Sequence, residues 1–235
     1  MITLYQFQTS PFCEKVRRIL AYKGLEYRIV EVERAKVPEF QRVSPHGKFP
    51  AIDHDGRAVW DSTNIAYYLD GAFPDPPLFP PDPEAAALVH VFEDWADESL
   101  YFYEMTMRLA WEHNVDKVLP EFAAGMPGVP LEAIRPRLLE AVQAGVRGQG
   151  LGRKTQDEVT EDAARHFRAL DALLSRRGWL VGDRLTLADI AVVCQVKALL
   201  YARETESMIA DAPHVREWIE RLDQQAPASA PSLPA

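Results

Sequence analysis

The chain has 235 residues, 47% of them apolar and 26% charged, which is the balance of a globular protein long enough for one large core or two smaller ones. A net charge of −9 argues against a nucleic-acid protein and against a polybasic membrane contact, because both need a basic face. No apolar run approaches the ~20 residues that span a bilayer, and Met1-Ile2-Thr3-Leu4-Tyr5 lacks the basic opening of a secretory leader. Two distant cysteines (Cys13, Cys194) and scattered histidines leave no disulfide framework and no metal site to expect, so a reducing, cytoplasmic setting fits.

Residues 2–7 read as a strand. Ser10 is a good N-cap, and Pro11 then fills the first helical position, where its missing N–H costs nothing. Val16, Ile19 and Leu20 follow at helical spacing, Gly24 is a natural stop, and residues 27–32 read as a second strand. Strand, helix and strand in about thirty residues predict a parallel βαβ unit. Residues 38–43 suggest a short helix. Asp55-Gly56 is the strongest hairpin signal in the chain, with 51–53 and 57–60 as its arms. Asp61-Ser62-Thr63-Asn64 is a cluster of cap residues opening a helix over 65–69.

Six prolines between 73 and 83 exclude a helix or central strand and read as a stiff linker. Everything beyond reads helical. A long segment, 84–113, ends before the Gly125-Met126-Pro127-Gly128 break. A helix over 131–146 has Pro136 as a kink or boundary, four glycines in 145–152 suggest a loop, and 157–177 is amphipathic up to Gly178. Thr186-Leu187-Ala188-Asp189 is a capping-box start with Leu185 and Ile190 at staple positions. The apolar helix it opens, 187–201, is expected to be buried. A last helix spans 214–222, and the Ala/Pro/Ser tail from 226 is expected to be disordered. The division is thus 1–73, a linker 74–83, a helical unit 84–225 and a tail 226–235.

The chemistry points to Thr9-Ser10-Pro11-Phe12-Cys13. A strand feeding a helix start aims free N–H groups and the positive end of a helix dipole at one spot, which suits an anion such as a thiolate. Since the chain as a whole is acidic, such an anion must be held by local donors and a local cation. Ser10 either donates a hydrogen bond to that sulfur or merely caps the helix, and Thr9 could share the role. Cys13, one turn in, is either a reactive thiol or a buried spectator.

Four segments, in order, resemble the cytosolic glutathione S-transferase superfamily over nearly the full chain. Ser10-Pro11-Phe12-Cys13 stands at its active-site turn, and Gly47-Lys48-Phe49-Pro50 resembles the loop that ends in a cis-proline. Asp61-Ser62 resembles the pair that grips the γ-glutamyl end of glutathione, and residues 182–189 resemble the capped helix start of the helical domain. The resemblance implies an α/β thioredoxin-like N-terminal domain followed by an all-α C-terminal domain, usually as a homodimer. It implies glutathione as co-substrate, with Ser10 favouring its thiolate for attack on a small apolar electrophile.

On that resemblance Phe12, Lys48, Phe49, Pro50, Asp61 and Ser62 would contact glutathione. Among the aromatic and soft residues of the long helix, Tyr103, Met107 and Trp111 would line a second-substrate pocket. Thr186 and Asp189 read as structural. The motif also resembles the Cys-Pro-Phe-Cys of glutaredoxins, with Ser10 in place of the first cysteine. That leaves thiol-disulfide chemistry at Cys13 as an alternative. Residues 148–153 and the following helix look like metaxin-like relatives of the superfamily, some with non-enzymatic roles, so a non-catalytic glutathione-binding or scaffold protein is the other.

Overall fold

The computed structural model describes residues 1–228. Strand β1 (Ile2–Gln6) leads through the turn to helix α1 (Pro11–Tyr22) and strand β2 (Tyr27–Glu31). A 3-10 helix (Arg34–Phe40) follows where residues 38–43 suggested a helix. It starts earlier because Pro38 is accommodated inside a short, loosely bonded turn. The hairpin β3 (Ala51–His54) and β4 (Arg57–Trp60) comes next, and Asp55 and Gly56 both take positive φ, 52° and 89°. That pair of dihedral signs matches the twist of the strands it joins. Helix α2 (Ser62–Ala72) completes the α/β unit.

The sheet order is β2-β1-β3-β4, with β1 parallel to β2 and antiparallel to β3. Leu4 lies between Ile29 and Ile52 in this register and is fully buried, so the central strand carries the core of the sheet. The sheet with its helices is the thioredoxin-like arrangement, and the all-helical part follows it.

The proline-rich segment is held at several points. Leu78 is fully buried, its N–H donates to Asp70 at 2.8 Å, and its carbonyl accepts from Leu187 at 3.0 Å. The buried Lys23 ammonium donates to Asp70, to the Phe73 carbonyl and to the Pro76 carbonyl at 2.7–2.9 Å.

The helical part opens with α3 (Pro83–Trp95), which runs without a stop through a π-helical turn (Ala96–Leu100), α4 (Tyr101–Glu104) and a second π-helical stretch (Met105–Ala110). The run ends at Trp111, whose backbone is extended (φ −90°, ψ 122°). Helix α5 (Glu112–Ala124) then begins, mostly beyond the 84–113 segment expected from the sequence, which names no helix over 114–124. Helix α6 (Leu131–Gln149) contains Pro136 without ending there. It also continues through Gly145 and Gly148, where a loop was expected. Leu139, Val142 and Val146 are buried against the second π-helical stretch, and this packing overrides the ~1 kcal/mol that each glycine costs a helix. Gly150, at φ 124°, is the actual stop.

Helix α7 (Gln156–Leu174) starts from a Thr155/Glu158 capping box, and α8 (Leu187–Leu199) from the Thr186/Asp189 box read in the sequence. Two further helices follow, α9 (Thr205–Ala210), which the sequence reading lacked, and α10 (Pro213–Gln225). The expectation of a disordered tail fails for its first residues. Ala226 is buried, its carbonyl accepts from Arg18 at 2.7 Å, and the Ala228 carbonyl accepts from Arg17 at 3.1 Å. The remainder, 229–235, lies outside the described residues.

Asp189 is the tie-point of the helical core. Its Oδ2 accepts from the Thr186 amide (3.0 Å) and hydroxyl (2.9 Å), and its Oδ1 from the Leu180 amide (2.8 Å) and Trp218 Nε1 (2.9 Å). All four donors are buried. Asp189→Ala leaves them unpaired and should lower unfolding free energy by ~3–5 kcal/mol. Urea denaturation checks this, and a loss under 1 kcal/mol would mean that water or repacking replaces the carboxylate.

Candidate functional site

A cleft of about 1130 Å³ lies between the sheet domain and the helical run. Two helix N-termini open into it. At the first, the turn after β1 is closed by the Ser10 amide donating to the Phe7 carbonyl at 3.1 Å, and Ser10 caps α1. Its hydroxyl oxygen accepts a long 3.4 Å bond from the Cys13 amide, which leaves the hydroxyl proton free to donate to a ligand in the cleft. Thr9 and Phe12 line the same cleft. The Thr9 carbonyl accepts from Arg108 Nη2 at 3.1 Å, and the Phe12 ring packs on Tyr101 at 4.9 Å.

Cys13 does not reach the cleft. It is fully buried, its sulfur accepts from the Phe7 amide at 3.4 Å, and burial pushes its thiol up to about 11. A thiol that stays protonated at neutral pH is a poor nucleophile.

At the second N-terminus, Asp61 is the cap of α2. Its carboxylate accepts from the Thr63 and Asn64 amides, both at 3.1 Å. Its backbone sits at φ 72°, ψ 128°, a conformation that costs a non-glycine residue roughly 1–3 kcal/mol and is held by these bonds. Ser62 is buried beside it, with Oγ accepting from Lys15 Nζ at 3.4 Å. Between the two N-termini runs the 44–50 loop, where the Ser44 hydroxyl donates to the Lys48 carbonyl at 2.5 Å. Lys48 is exposed, and the Phe49–Pro50 peptide is cis, the isomer read from the sequence. Phe49 packs edge-on to Phe7 at 5.3 Å. The structure therefore brings Thr9, Ser10, Phe12, Lys48, Phe49, Pro50, Asp61 and Ser62 to one cleft.

It does not bring Tyr103, Met107 or Trp111 there. The Tyr103 hydroxyl turns to Asp162 at 3.5 Å, its ring meets His166 at 4.9 Å, Met107 is fully buried, and Trp111 is buried next to His113. Helical spacing gives a period but not a phase, and the π-helical turns shift the phase further. The apolar wall of the cleft is built instead by Tyr101, Phe102, Met105 and Leu109, with Phe122, Leu138 and Val142 from α5 and α6.

Four charged residues at the site were not singled out from sequence. Lys15 is buried under α2, paired with Glu93, with Asp97 Oδ2 at 2.7 Å, and near the Ser62 and Thr63 hydroxyls. Asp97 lines the cleft. Burial pushes its carboxyl up to about 6 against the pull of Lys15, and its Oδ1 is buried without a partner. Arg108 is buried in an i,i+4 pair with Glu104 at 2.5 Å and holds the Thr9 carbonyl from the helical side. The Arg34 guanidinium lies over the Phe7 and Phe122 rings. The i,i+4 spacing of Glu104 and Arg108 is visible in the sequence, but surface ion pairs have the same spacing, and the like-charged Glu93 and Asp97 give no sign of the lysine they share.

The buried Cys13 gives a direct check. An aromatic disulfide reagent at neutral pH should leave the native protein unlabelled and react with both cysteines after unfolding in urea. Rapid labelling of one thiol in the folded protein would contradict the assignment of Cys13 as a spectator.

Comparison with known proteins agrees with this geometry. Residues 4–77 match the model of the glutathione S-transferase N-terminal domain, and residues 136–226 match that of the C-terminal domain. An isoprene-epoxide–glutathione S-transferase of Rhodococcus sp. (strain AD45) is 26% identical over 243 residues, covering 96% of this chain and 99% of that protein. Human elongation factor 1-gamma is 28% identical over 225 residues, 92% of this chain but 43% of that protein. A solved glutathione S-transferase from Rhodospirillum rubrum F11 superposes with a TM-score of 0.67 at 26% identity, covering 99% of this chain and 94% of that one. The chain belongs to the glutathione S-transferase family.

Proposed function

We propose that this chain is itself a glutathione transferase. Glutathione lies across the two helix N-termini, and its thiolate attacks an apolar electrophile held against the helical wall. The observation that carries this reading is that the Ser10 cap of α1 and the Asp61–Ser62 start of α2 open into one cleft, with the 44–50 loop between them.

A free thiol with a pKa of about 8.5 is only a few per cent ionised at neutral pH. Bringing it to roughly 6.5 takes ~2.7 kcal/mol of preference for the thiolate. One hydrogen bond to a charged acceptor supplies ~1.5–3 kcal/mol, and the dipole of α1 adds ~0.3–1 kcal/mol. The two together suffice. The γ-glutamyl carboxylate suits the free amides at the start of α2. Its ammonium suits Asp97, whose unpartnered Oδ1 is the buried acceptor nearest in character to that need. The Lys48 side chain serves the glycine carboxylate, and the Phe49 backbone pairs with the cysteinyl segment. Exposed apolar side chains on α2 and α3, Tyr67, Leu88 and Val91, fit a second copy of the chain and favour a homodimer. Burial of Cys13 disfavours the thiol-disulfide alternative.

Two outcomes follow. Ser10→Ala should lower kcat/KM for conjugation by about 10–100-fold while changing the Kd for glutathione little, because the lost bond favours the thiolate over the thiol. Equal rates in steady-state assays would remove Ser10 from the chemistry. Asp97 is ionised only above about pH 6, so an ammonium bound to it is lost as pH falls through that value. With S-methylglutathione, which has no titrating thiol, affinity should weaken about tenfold per pH unit below pH 6, and Asp97→Asn should flatten the profile. Calorimetry at several pH values reads this, and a step that persists in Asp97→Asn would assign it elsewhere.

A further inference from the structure

The buried Lys and Arg side chains of the two domains each reach an oxygen partner, although Arg108 Nε stays unpaired. Lys15, Arg17, Arg18, Lys23 and Arg108 each have a carboxylate, amide or carbonyl oxygen within 3.1 Å. Arg34 does not. It is half-buried at the cleft wall, its guanidinium lies 4.6 Å over the Phe7 ring and 4.9 Å over the Phe122 ring, and its backbone amide is fixed by the Gly125 carbonyl at 3.1 Å. Among the described residues no carboxylate comes within ion-pair distance of it.

Glu31, the acid near enough to be felt, is taken up by the Gln8 amide at 2.6 Å and the Gln6 side chain at 3.0 Å. Burial without a partner pulls the Arg34 pKa down, which is the signature of a cation held in place at a cost. The guanidinium lies over two aromatic rings, and its N–H groups, without an oxygen partner among the described residues, are left to meet a ligand. Carboxylate is the anion that such a fork matches in two-point fashion, and the flanking rings suit a flat group beside it.

Arg34 has a definite place relative to the chemistry. Phe7 is joined to Ser10 by the hydrogen bond that closes the turn, and Phe122 belongs to the same apolar wall as Leu138 and Val142. A group held at Arg34 therefore sits on the electrophile's side of the turn. We propose that Arg34 is a specificity residue for the second substrate, anchoring a carboxylate carried by an otherwise apolar, flat electrophile. This rests on the transferase reading above. Carboxylate could also come from the glycine end of glutathione, so the test must separate the two sources.

The experiment is calorimetric binding of three ligands to wild type, Arg34→Met and Arg34→Lys. The ligands are glutathione, S-(4-carboxy-2-nitrophenyl)glutathione and the methyl ester of that conjugate. Wild type should prefer the acid conjugate over the ester. Arg34→Met should weaken the acid about tenfold or more while ester and glutathione stay within about twofold, and Arg34→Lys should fall between.

In wild type alone, the preference for the acid should shrink as salt is raised from about 0.05 to about 0.5 M, which needs no variant to fold. Equal binding of acid and ester by wild type, equal losses for both in Arg34→Met, or a salt-independent preference would overturn the proposal. A loss of similar size for glutathione and both conjugates would overturn it by assigning Arg34 to the glycine carboxylate. If wild type binds glutathione but neither conjugate, this proposal alone fails. If it does not bind glutathione, the transferase reading fails and takes this one with it.

Discussion

A single ammonium, Lys15 Nζ, sits where α1, α2 and α3 meet, and the site is arranged around it. It pairs with Glu93 and Asp97 from the helical run and approaches the Ser62 and Thr63 hydroxyls at the start of α2, while Thr63 donates to Glu93 at 2.5 Å. Such a cluster adds little net stability, because desolvating three charges offsets their attraction. What it does is specify geometry. Moving either domain relative to the other would leave an unpaired buried charge, a loss of several kcal/mol. The α2 N-terminus is therefore locked to the helical domain at the point where the cleft needs it. Arg108 makes the second tie, from the same helical run to the Thr9 carbonyl of the other N-terminus.

The same constraint explains what could and could not be read from the residues. The turn at Ser10-Pro11, the Asp55-Gly56 hairpin and the Thr186/Asp189 box are local devices, whose physics is complete within four or five residues. The structure has each of them where local chemistry puts it. The basic residues of α1 are the opposite case. Lys15, Arg17 and Arg18 are all buried, and besides local partners (Gln6 for Arg17, Glu14 for Arg18) they reach atoms 47 to 211 residues away in sequence, which no local pattern reveals. Arg17 and Arg18 reach the carbonyls of Ala228 and Ala226, so two cations order a segment whose composition alone suggests none. Likewise the extent of α6 follows from what Val142 and Val146 pack against, and its glycines give no hint of it.

The second-substrate wall was the least legible part. Tyr103, Met107 and Trp111 are as aromatic or soft as Tyr101, Phe102 and Met105, and only the packing of the opposite face against α7 and α8 decides which set faces the cleft. The glutathione side was more legible because it consists of helix starts and a loop, each with a local signature.

The chain carries a net charge of −9, so the field of the whole protein opposes an anion in the cleft. The account therefore stands on local donors, the Ser10 hydroxyl and the α1 N-terminus, outweighing that field at the sulfur. The most direct measurement is the ultraviolet absorbance of the thiolate of bound glutathione, titrated with pH on the wild-type protein. The account predicts half-ionisation near pH 6.5, about two units below the free thiol. A bound thiol that titrates at its free value of about 8.5 would show that the turn binds the tripeptide without activating it.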